Sequence, residues 1–236
     1  MINVTVFGAA GRMGQAVLKS LSAEKDIFIK HAVDVQTLTL PEFPDIIVQE
    51  DNQSSDFESD IWIDVSLCDV AFQHAKLAEQ KKIPILIGAT GFSQDQIKEI
   101  DALKIPTIVA PNLSVGINTL FEVTPLIRSI LGDKYDVAVF DTHHRHKLDA
   151  PSGTAKKFVE KLNEKGPDVQ VVSVRAGEVV GEHRILFAVD GEQIEIIHRA
   201  ESRMAFARGV APAIRFLAQQ EIGIYTMSDV LGLNLG

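Results

Sequence analysis

The sequence predicts an α/β protein in two parts: a doubly wound parallel sheet, followed by a second α+β domain whose sheet is mixed and largely antiparallel. In the first half of the chain, short apolar runs alternate with helical patterns, as expected of parallel strands joined by helices. Beyond about residue 135 the strand-like runs outnumber the helical ones. Two of these later runs are joined by Asp190-Gly191-Glu192, which favours a hairpin and therefore antiparallel pairing.

The chain begins with a strand, a glycine-rich turn and a helix. Apolar residues 2–7 lead into Gly8-Ala9-Ala10-Gly11-Arg12-Met13-Gly14, and residues 15–24 have helical spacing. Glycines in such a turn permit a tight bend and let the backbone approach a pyrophosphate held at the helix N-terminus. The spacing is GxxGxxG and departs from GxGxxG, so a purely structural turn is the alternative.

An acidic residue follows this turn at the expected distance. A second predicted strand, residues 27–33, ends at Asp34, which lies 20 residues beyond Gly14. A carboxylate at that place accepts hydrogen bonds from the ribose hydroxyls of an adenine dinucleotide. The strand, turn, helix, strand and acidic residue together predict a Rossmann-like site for a nicotinamide dinucleotide.

Residues 35–60 are expected to form a surface excursion with one short strand at 46–49, because they contain two prolines and a polar run. The alternation then resumes, with strands predicted at 61–65, 83–87 and 105–110 and helices at 69–81 and 93–103. Ligands of parallel sheets lie outside the carboxyl ends of the strands. Two such ends fall where a nicotinamide and its ribose would lie, although either could be an ordinary turn: Gly88-Ala89-Thr90-Gly91-Phe92 and Ala110-Pro111-Asn112-Leu113-Ser114.

The second domain is predicted to begin with a helix that follows Ser114, runs to about Leu131 and contains Pro125. The remaining predicted elements are strands at 135–142, 169–175, 184–190 and 193–198 and helices at 152–166 and 202–220. The last helix is expected to tolerate Pro212 and to return the chain to the first domain. We therefore predict a dinucleotide-binding domain at residues 1–113, completed by 202–236, and a substrate-binding and oligomerisation domain at 114–201.

Chemically active side chains are concentrated in His143-His144-Arg145-His146-Lys147 and in the Ser152-Gly153-Thr154 that follows. Five consecutive cationic or protonatable side chains are unusual in a chain of net charge −9. Ser152 is predicted to cap a helix, which places the amides of Gly153 and Thr154 at the positive end of its dipole. Such a terminus binds anions, and beside basic side chains it suits a small ligand with two carboxylates. The alternative is a solvated basic turn ahead of an ordinary capped helix.

The other histidines and the metal-binding residue types give no further site. A metal site at His143 and His146 is not expected, because no Cys, Asp or Glu cluster at ligand spacing joins them. The remaining histidines are interpreted as structural or surface residues: His31, His74, His183 and His198.

The composition narrows the class of protein. A chain of 236 residues with 46% hydrophobic residues can fill a core without disulfides, and its one cysteine, Cys68, fits a reducing compartment. Strand-like sequence from Ile2 leaves no room for a secretion signal, and no apolar run approaches the ~20 residues of a membrane span. A cytoplasmic protein is expected. Nucleic-acid and membrane partners are not expected of an acidic chain with no extended basic face.

The sequence resembles the 4-hydroxy-tetrahydrodipicolinate reductase family, also called dihydrodipicolinate reductases, over nearly the whole chain. The blocks that carry the resemblance are residues 8–14, 88–92, 111–118, 143–154 and 175–183. The block from His143 to Thr154 is highly specific, whereas the glycine turn alone would not be.

The resemblance implies an enzyme that reduces 4-hydroxy-tetrahydrodipicolinate to tetrahydrodipicolinate with NADH or NADPH, in diaminopimelate and lysine biosynthesis. It implies that His143 and Lys147 handle protons, and that the substrate is held by His144, Gly153 and Thr154. It also implies a homotetramer built through the second domain. The implied cofactor-binding residues are Gly8, Ala9, Ala10, Gly11, Arg12, Met13, Asp34, Gly88, Ala89, Thr90, Ala110, Pro111, Asn112 and Leu113.

This chemistry needs a proton donor. Hydride adds to C4 of a cyclic, conjugated imine dicarboxylate formed by loss of water, and the resulting enamine must be protonated at the neighbouring carbon. Histidine can donate near neutrality, and Lys147 could anchor a carboxylate or supply the proton. Whether His143 or Lys147 is the final acid stays open.

The chain departs from the family pattern at two places. It is short between the helix at Ser152 and Arg175, and Val35 and Gln36 follow Asp34 where some members place a basic residue. Because a carboxylate repels a 2′-phosphate, NADH is expected to be preferred, although Arg12 could reach that phosphate.

Two rival functions share the first domain. A dehydrogenase acting on another amino-acid-derived substrate, such as an aspartate dehydrogenase, would not require the histidine strip beside Ser152-Gly153-Thr154. A non-catalytic protein that senses a dinucleotide has no use for a proton donor. Cofactor oxidation with freshly generated hydroxy-tetrahydrodipicolinate separates the three functions.

Overall fold

The computed structural model describes residues 1–51 and 57–233. They form two compact units: the first comprises Met1–Ser114 and Phe206–Gly232, and the second comprises Val115–Ala205. Each unit has a hydrophobic core of its own. None of the helices in the described ranges combines the length and hydropathy needed to cross a membrane.

Strands and helices alternate along most of the chain. The strands are β1 Ile2–Phe7, β2 Ile27–Asp34, β3 Leu38–Leu40, β4 Phe43–Glu50, β5 Ile61–Asp64, β6 Ile85–Ile87, β7 Pro106–Val109, β8 Asp136–His143, β9 Gln170–Arg175, β10 Gly181–Val189, β11 Glu192–Ala200 and β12 Gly223–Tyr225. The helices are α1 Arg12–Leu21, α2 Cys68–Lys81, α3 Gln94–Asp101, α4 Val115–Leu131, α5 Gly153–Asn163, α6 Met204–Ala207, α7 Val210–Leu217 and α8 Met227–Val230.

The first unit is built on an eight-stranded sheet with the order β12-β7-β6-β5-β1-β2-β4-β3. Neighbouring strands are parallel except for β3 and β4, so the predicted doubly wound parallel sheet is confirmed. All of β5 and the last four residues of β1 are buried. Since helices cover such strands on both faces, ligands reach this sheet at the ends of its strands.

The prediction for residues 35–60 was wrong in part. This stretch contains two strands, β3 and β4, and β4 is twice the length of the predicted one. β4 pairs with β2 through Ala32–Val48 and its neighbours, yet Val48 is its one buried residue. A strand near a sheet edge needs few apolar residues, and Pro44 is tolerated there, so composition alone does not reveal it. The polar run at 52–56 lies outside the described residues.

The prediction of one helix over 202–220 was also wrong. The segment forms two helices, α6 and α7, separated at Gly209. A Cβ at Gly209 would lie 1.8 Å from the Leu113 carbonyl oxygen, so the backbones meet there closely. Pro212 falls in the first turn of α7, where its missing N–H has no helical partner to lose. β12, which was not predicted, then pairs with β7.

The second unit has a four-stranded sheet with the order β11-β10-β8-β9. β8 and β9 are parallel and are joined through α5, whereas the other neighbours are antiparallel, so the predicted mixed sheet is confirmed. Helices α4 and α5 pack on one face through Phe121 and Phe158, whose ring centroids are 4.6 Å apart. On the remaining surface of this unit, Val172, Val174 and Ile197 are exposed.

Candidate active site

The glycine turn between β1 and α1 is tightly packed. Gly8 has φ +75°, and a Cβ there would lie 2.9 Å from the backbone nitrogen of Ser66. A Cβ at Gly14 would lie 2.0 Å from the Gly8 carbonyl oxygen. No described side chain caps the start of α1 at Gly11, so N–H groups of its first turn face outward. The turn therefore keeps the features of an anion-binding helix terminus.

The Asp34 carboxylate is held beside this turn. Its Oδ2 accepts from the N–H of Ala10 at 2.8 Å, and its Oδ1 accepts from the N–H of Val35 at 2.8 Å. Both hydrogen bonds come from backbone, so the carboxylate has a fixed direction while each oxygen retains further accepting capacity. Val35 is 80% exposed and Arg12 is exposed as well.

The other predicted cofactor residues lie at the carboxyl ends of β6 and β7. Gly88 donates from its N–H to the Asp64 carbonyl at 2.7 Å, and Ala110 donates to Ile87 at 2.9 Å. A Cβ at Gly88 would lie 3.0 Å from Val65 Cγ1 and 3.3 Å from Leu113 Cδ1. These contacts bring together the carboxyl ends of β5, β6 and β7. In the same loops Ala89 is buried, Asn112 is half-buried, and Thr90 and Pro111 are exposed.

A buried histidine supports this edge of the sheet and was not predicted to do so. His74 Nδ1 lies 2.5 Å from Asp64 Oδ2, and its Nε2 lies 3.0 Å from Asp51 Oδ2. Burial opposes its protonation, but the two carboxylates outweigh that effect and raise the pKa of His74 above its ordinary value. Asp64 also accepts from the N–H and Oγ of Ser66, whose backbone packs against Gly8.

In the second unit, the end of β8 meets the start of α5. Asp141 and His143 are two residues apart on β8, so both side chains point to its buried face. Ser152 caps α5: its Oγ accepts from the N–H of Ala155 at 3.2 Å, while its own N–H donates to Asp141 Oδ2 at 2.9 Å. Among the described residues outside its own turn, none would lie within 4 Å of a Cβ at Gly153, so the start of α5 has open space at that position. Thr154 follows in the same turn.

The five basic residues that begin at the end of β8 differ in burial. His143 is buried, and His144 and Lys147 are half-buried, whereas Arg145 and His146 are exposed near Glu178. Lys147 Nζ lies 2.8 Å from Asp149 Oδ1. The pKa of His144 is lowered by desolvation and by the nearby positive charges. Three of the five side chains are therefore buried or half-buried, and two are exposed.

Asp141 links these residues and was missed by the sequence analysis. Its Oδ2 accepts from Ser173 Oγ at 3.2 Å and from Arg175 Nη2 at 3.0 Å, and its Oδ1 lies 2.9 Å from His143 Nδ1 and 3.4 Å from His183 Nε2. Burial disfavours the charged carboxylate, but the contacts with His143, His183 and Ser152 outweigh burial and hold the pKa of Asp141 well below its usual range.

The register between neighbouring strands brings this cluster together, and predicting the cluster would have required that register. Asp141 pairs with His183 across β8 and β10, and with Ser173 across β8 and β9. Arg175 and His183 belonged to a block of the family resemblance, but Arg175 was given no role and His183 was interpreted as a structural or surface residue. Strand pairing of this kind depends on contacts distant in sequence, so spacing along one strand does not show it.

Three side chains in this cluster are of metal-ligand type. Ligand atoms of Asp141, His143 and His183 lie within 4.8 Å of one another. The guanidinium of Arg175 pairs with the same carboxylate, and its positive charge opposes a cation there. We therefore assign no metal to this site.

Two models of one protein family match the chain. The model described as dihydrodipicolinate reductase, N-terminus, matches residues 2–113. The model described as dihydrodipicolinate reductase, C-terminus, matches residues 116–231. Both parts of one family are therefore present, in the same order.

Full-length relatives and a solved structure agree with these matches. The chain is 35% identical over 265 aligned residues to 4-hydroxy-tetrahydrodipicolinate reductase of Syntrophus aciditrophicus, covering 98% of this chain and 99% of the relative. It is 36% identical over 269 residues to that of Anaeromyxobacter dehalogenans, covering 100% of both. A dipicolinate-bound dihydrodipicolinate reductase from Paenisporosarcina sp. TG-14 has a TM-score of 0.75 at 22% identity, over 96% of this chain and 97% of that one.

Proposed function

Because the chain belongs to the dihydrodipicolinate reductase family, we propose that its first unit binds the cofactor and its second unit binds the substrate. The protein is an NAD(P)H-dependent reductase that converts 4-hydroxy-tetrahydrodipicolinate to tetrahydrodipicolinate in diaminopimelate and lysine biosynthesis. This division rests on the two sets of proposed binding residues, which lie in different units. The glycine turn and Asp34 lie in one unit, and the basic side chains around the start of α5 lie in the other.

The glycine turn fits a dinucleotide. Side chains at Gly8 or Gly14 would collide with neighbouring backbone, so the turn stays thin where a pyrophosphate would approach the first turn of α1. Asp34, oriented by the N–H of Ala10, is proposed to accept from the adenosine ribose, and the other proposed cofactor residues lie at the ends of β6 and β7. When bound, the nicotinamide supplies the hydride.

We expect NADH to be used about tenfold better than NADPH, a difference of roughly 1.4 kcal/mol. The oriented Asp34 carboxylate repels a 2′-phosphate, and neither Val35 nor Gln36 offsets that repulsion. Discrimination is not complete, because exposed Arg12 can pair with the phosphate. The measurement is kcat/KM for both cofactors at low salt, where charge effects are least screened.

Val35→Arg tests this account. The exposed side chain has little packing to lose, and its N–H, which binds Asp34, is unchanged by the substitution. NADPH use should therefore rise. Gln219→Arg adds the same charge at an exposed position beyond α7 and serves as the control. A parent that prefers NADPH contradicts the role given to Asp34, and no gain in Val35→Arg contradicts the placement of this loop beside the 2′ position.

For the substrate, we propose that Gly153 and Thr154 receive one carboxylate at the start of α5, with His144 and Lys147 on the basic side. His143 and Lys147 are proposed to control the proton that the carbon next to C4 takes up after hydride has added. The open space at Gly153 supports the first proposal, since a side chain or neighbouring atom there would block a ligand. The dipicolinate in the solved relative is a dicarboxylate of the same kind.

Pyridine-2,6-dicarboxylate is expected to compete with the substrate, and pyridine-2-carboxylate to be about 10- to 100-fold weaker. The reason is that one charge-assisted hydrogen-bonded partner contributes about 1.5–3 kcal/mol. Inhibition constants for both acids, measured at varied substrate concentration, show whether the second carboxylate has a partner in the protein. Equal inhibition would show that the second carboxylate has no dedicated partner.

We also propose a homotetramer assembled through the second unit, and a cytoplasmic location. The exposed apolar residues Val172, Val174 and Ile197 support an assembly surface there. The single cysteine, Cys68, is free and suits a reducing compartment.

The reaction is tested by following cofactor oxidation with freshly generated 4-hydroxy-tetrahydrodipicolinate. Aspartate-derived oxo acids with ammonia serve as the comparison for an amino-acid dehydrogenase. Turnover with the first substrate and none with the second is the expected result. Cofactor binding without turnover of either would contradict the reductase function.

A further inference from the structure

We propose that Asp141 is the positioning residue for His143: it keeps a proton on His143 Nδ1 and leaves Nε2 as the nitrogen that exchanges a proton with the substrate. This inference rests on the proposed role of His143. Its basis is the 2.9 Å contact between Asp141 Oδ1 and His143 Nδ1, made between two buried side chains of the same strand. A carboxylate facing one imidazole nitrogen selects the tautomer with its proton there.

The carboxylate is itself held in a fixed direction. Its Oδ2 receives the N–H of Ser152, the hydroxyl of Ser173 and the guanidinium of Arg175. Arg175 Nη1 also donates to the carbonyl oxygen of Asp141 at 3.2 Å. With Oδ2 occupied from three sides, Oδ1 is the oxygen turned toward the imidazoles, and within the described ranges it has no hydrogen-bond partner of ordinary geometry.

The other ring nitrogen of His143, Nε2, faces Gly181 at the start of β10. A Cβ at Gly181 would lie only 3.2 Å from His143 Nε2, so any larger residue at the start of β10 would crowd that nitrogen. Nδ1 is buried, whereas the whole side chain is 11% exposed. Nδ1 therefore lies buried against Asp141, and the remaining exposure of the ring lies away from that nitrogen.

The surrounding charges favour this arrangement. Arg175 on β9 is a permanent cation that pairs with Oδ2, and His183 on β10 faces Oδ1. Burial lowers the pKa of His183, which disfavours a competing positive charge on that ring beside Asp141. His144 and Lys147 approach from the loop after β8, where burial and the positive charges of His143 and Lys147 lower the pKa of His144. Asp141 is thus the anion that stabilises an imidazolium at His143.

The proton balance is simple. After hydride has added, imidazolium His143 gives the proton on Nε2 to the enamine carbon, a C–H bond forms, and neutral His143 keeps its Nδ1 proton. Asp141 stays ionised throughout, as the orienting carboxylate does in other carboxylate–histidine pairs. The next turnover begins when water returns a proton to Nε2.

Asp141→Asn is expected to lower kcat by about 10- to 10²-fold, a part of what general acid catalysis supplies. Without the negative charge an imidazolium at His143 loses its neighbouring anion, so the basic limb of the kcat–pH profile should move to lower pH. Asp141→Glu keeps the charge and should restore most of kcat. Asp136→Asn, at the exposed start of the same strand, should change neither kcat nor the profile. NADH affinity should be unchanged in all three.

A merely structural role predicts a different pattern, in which Asp141→Asn lowers thermal stability and active fraction but leaves the pH profile of the folded enzyme in place. That result would overturn the inference. If the variant does not fold, nitrogen NMR of the histidines in the unmodified protein, assigned with His143→Gln, reports the tautomer directly. A neutral His143 with its proton on Nε2 would equally overturn it. If His143→Gln keeps full kcat, the proposed role of His143 fails first, so the two failures are distinguishable.

Discussion

Replacing His143 with glutamine is expected to lower kcat by about 10²- to 10⁴-fold, the usual contribution of a general acid. Glutamine occupies similar space and can still contact Asp141, but it has no proton to give near neutral pH. The dissociation constant for NADH should stay within about twofold, because the proposed cofactor residues lie in the other unit. Steady-state kcat and a fluorescence titration with NADH measure the two quantities.

His146→Gln is the matched control for that substitution. His146 belongs to the same basic stretch, but its side chain is 72% exposed and its ion-pair partner Glu178 is 78% exposed. Its loss should leave kcat within about threefold. A parent-like kcat in His143→Gln would remove His143 from the chemistry, and an equal loss in both variants would show that the stretch acts through its total charge.

The glycine turn could be predicted from sequence because its determinants are local. A short apolar strand, three glycines and a following helix are contiguous, and the required close approaches at Gly8 and Gly14 involve backbone that the turn itself or a neighbouring strand end supplies. The same holds for the cap at Ser152, whose hydroxyl reaches a residue three positions away. Local contacts therefore explain why the glycine turn and the cap at Ser152 could be predicted from the sequence.

The features that were not predicted depend instead on contacts between segments distant in sequence. Asp141, Arg175 and His183 come together only after three strands have aligned in register, and each residue alone reads as an ordinary strand residue. His74 likewise becomes notable only because Asp51 and Asp64 reach it from two different strand ends. Strand β4 was underestimated for a related reason, since its neighbour β2 supplies the pairing that its own composition does not indicate.

The position of Lys147 suggests that its charge is what the reaction uses. Its ammonium lies 2.8 Å from Asp149, and although burial works against that carboxylate, the hydrogen bond from Lys147 lowers the pKa of Asp149. The backbone N–H of Lys147 also donates to the His144 carbonyl at 3.1 Å. This hydrogen bond holds the turn that carries both side chains. An ammonium fixed in this way can anchor a substrate carboxylate while His143 supplies the proton.

Lys147→Ala is therefore expected to lower kcat by about 10²-fold and to weaken pyridine-2,6-dicarboxylate, whereas Lys147→Arg should recover most of both losses. An arginine keeps the positive charge but cannot give up its proton near neutrality, so it separates an anchor from an acid. Lys165→Ala, exposed just beyond α5, is the control for loss of one lysine. If Lys147→Arg is as slow as Lys147→Ala but binds the inhibitor normally, the proton comes from Lys147 itself. The assignment of His143 as the final acid would then be wrong, because one enamine carbon takes up one proton in each turnover.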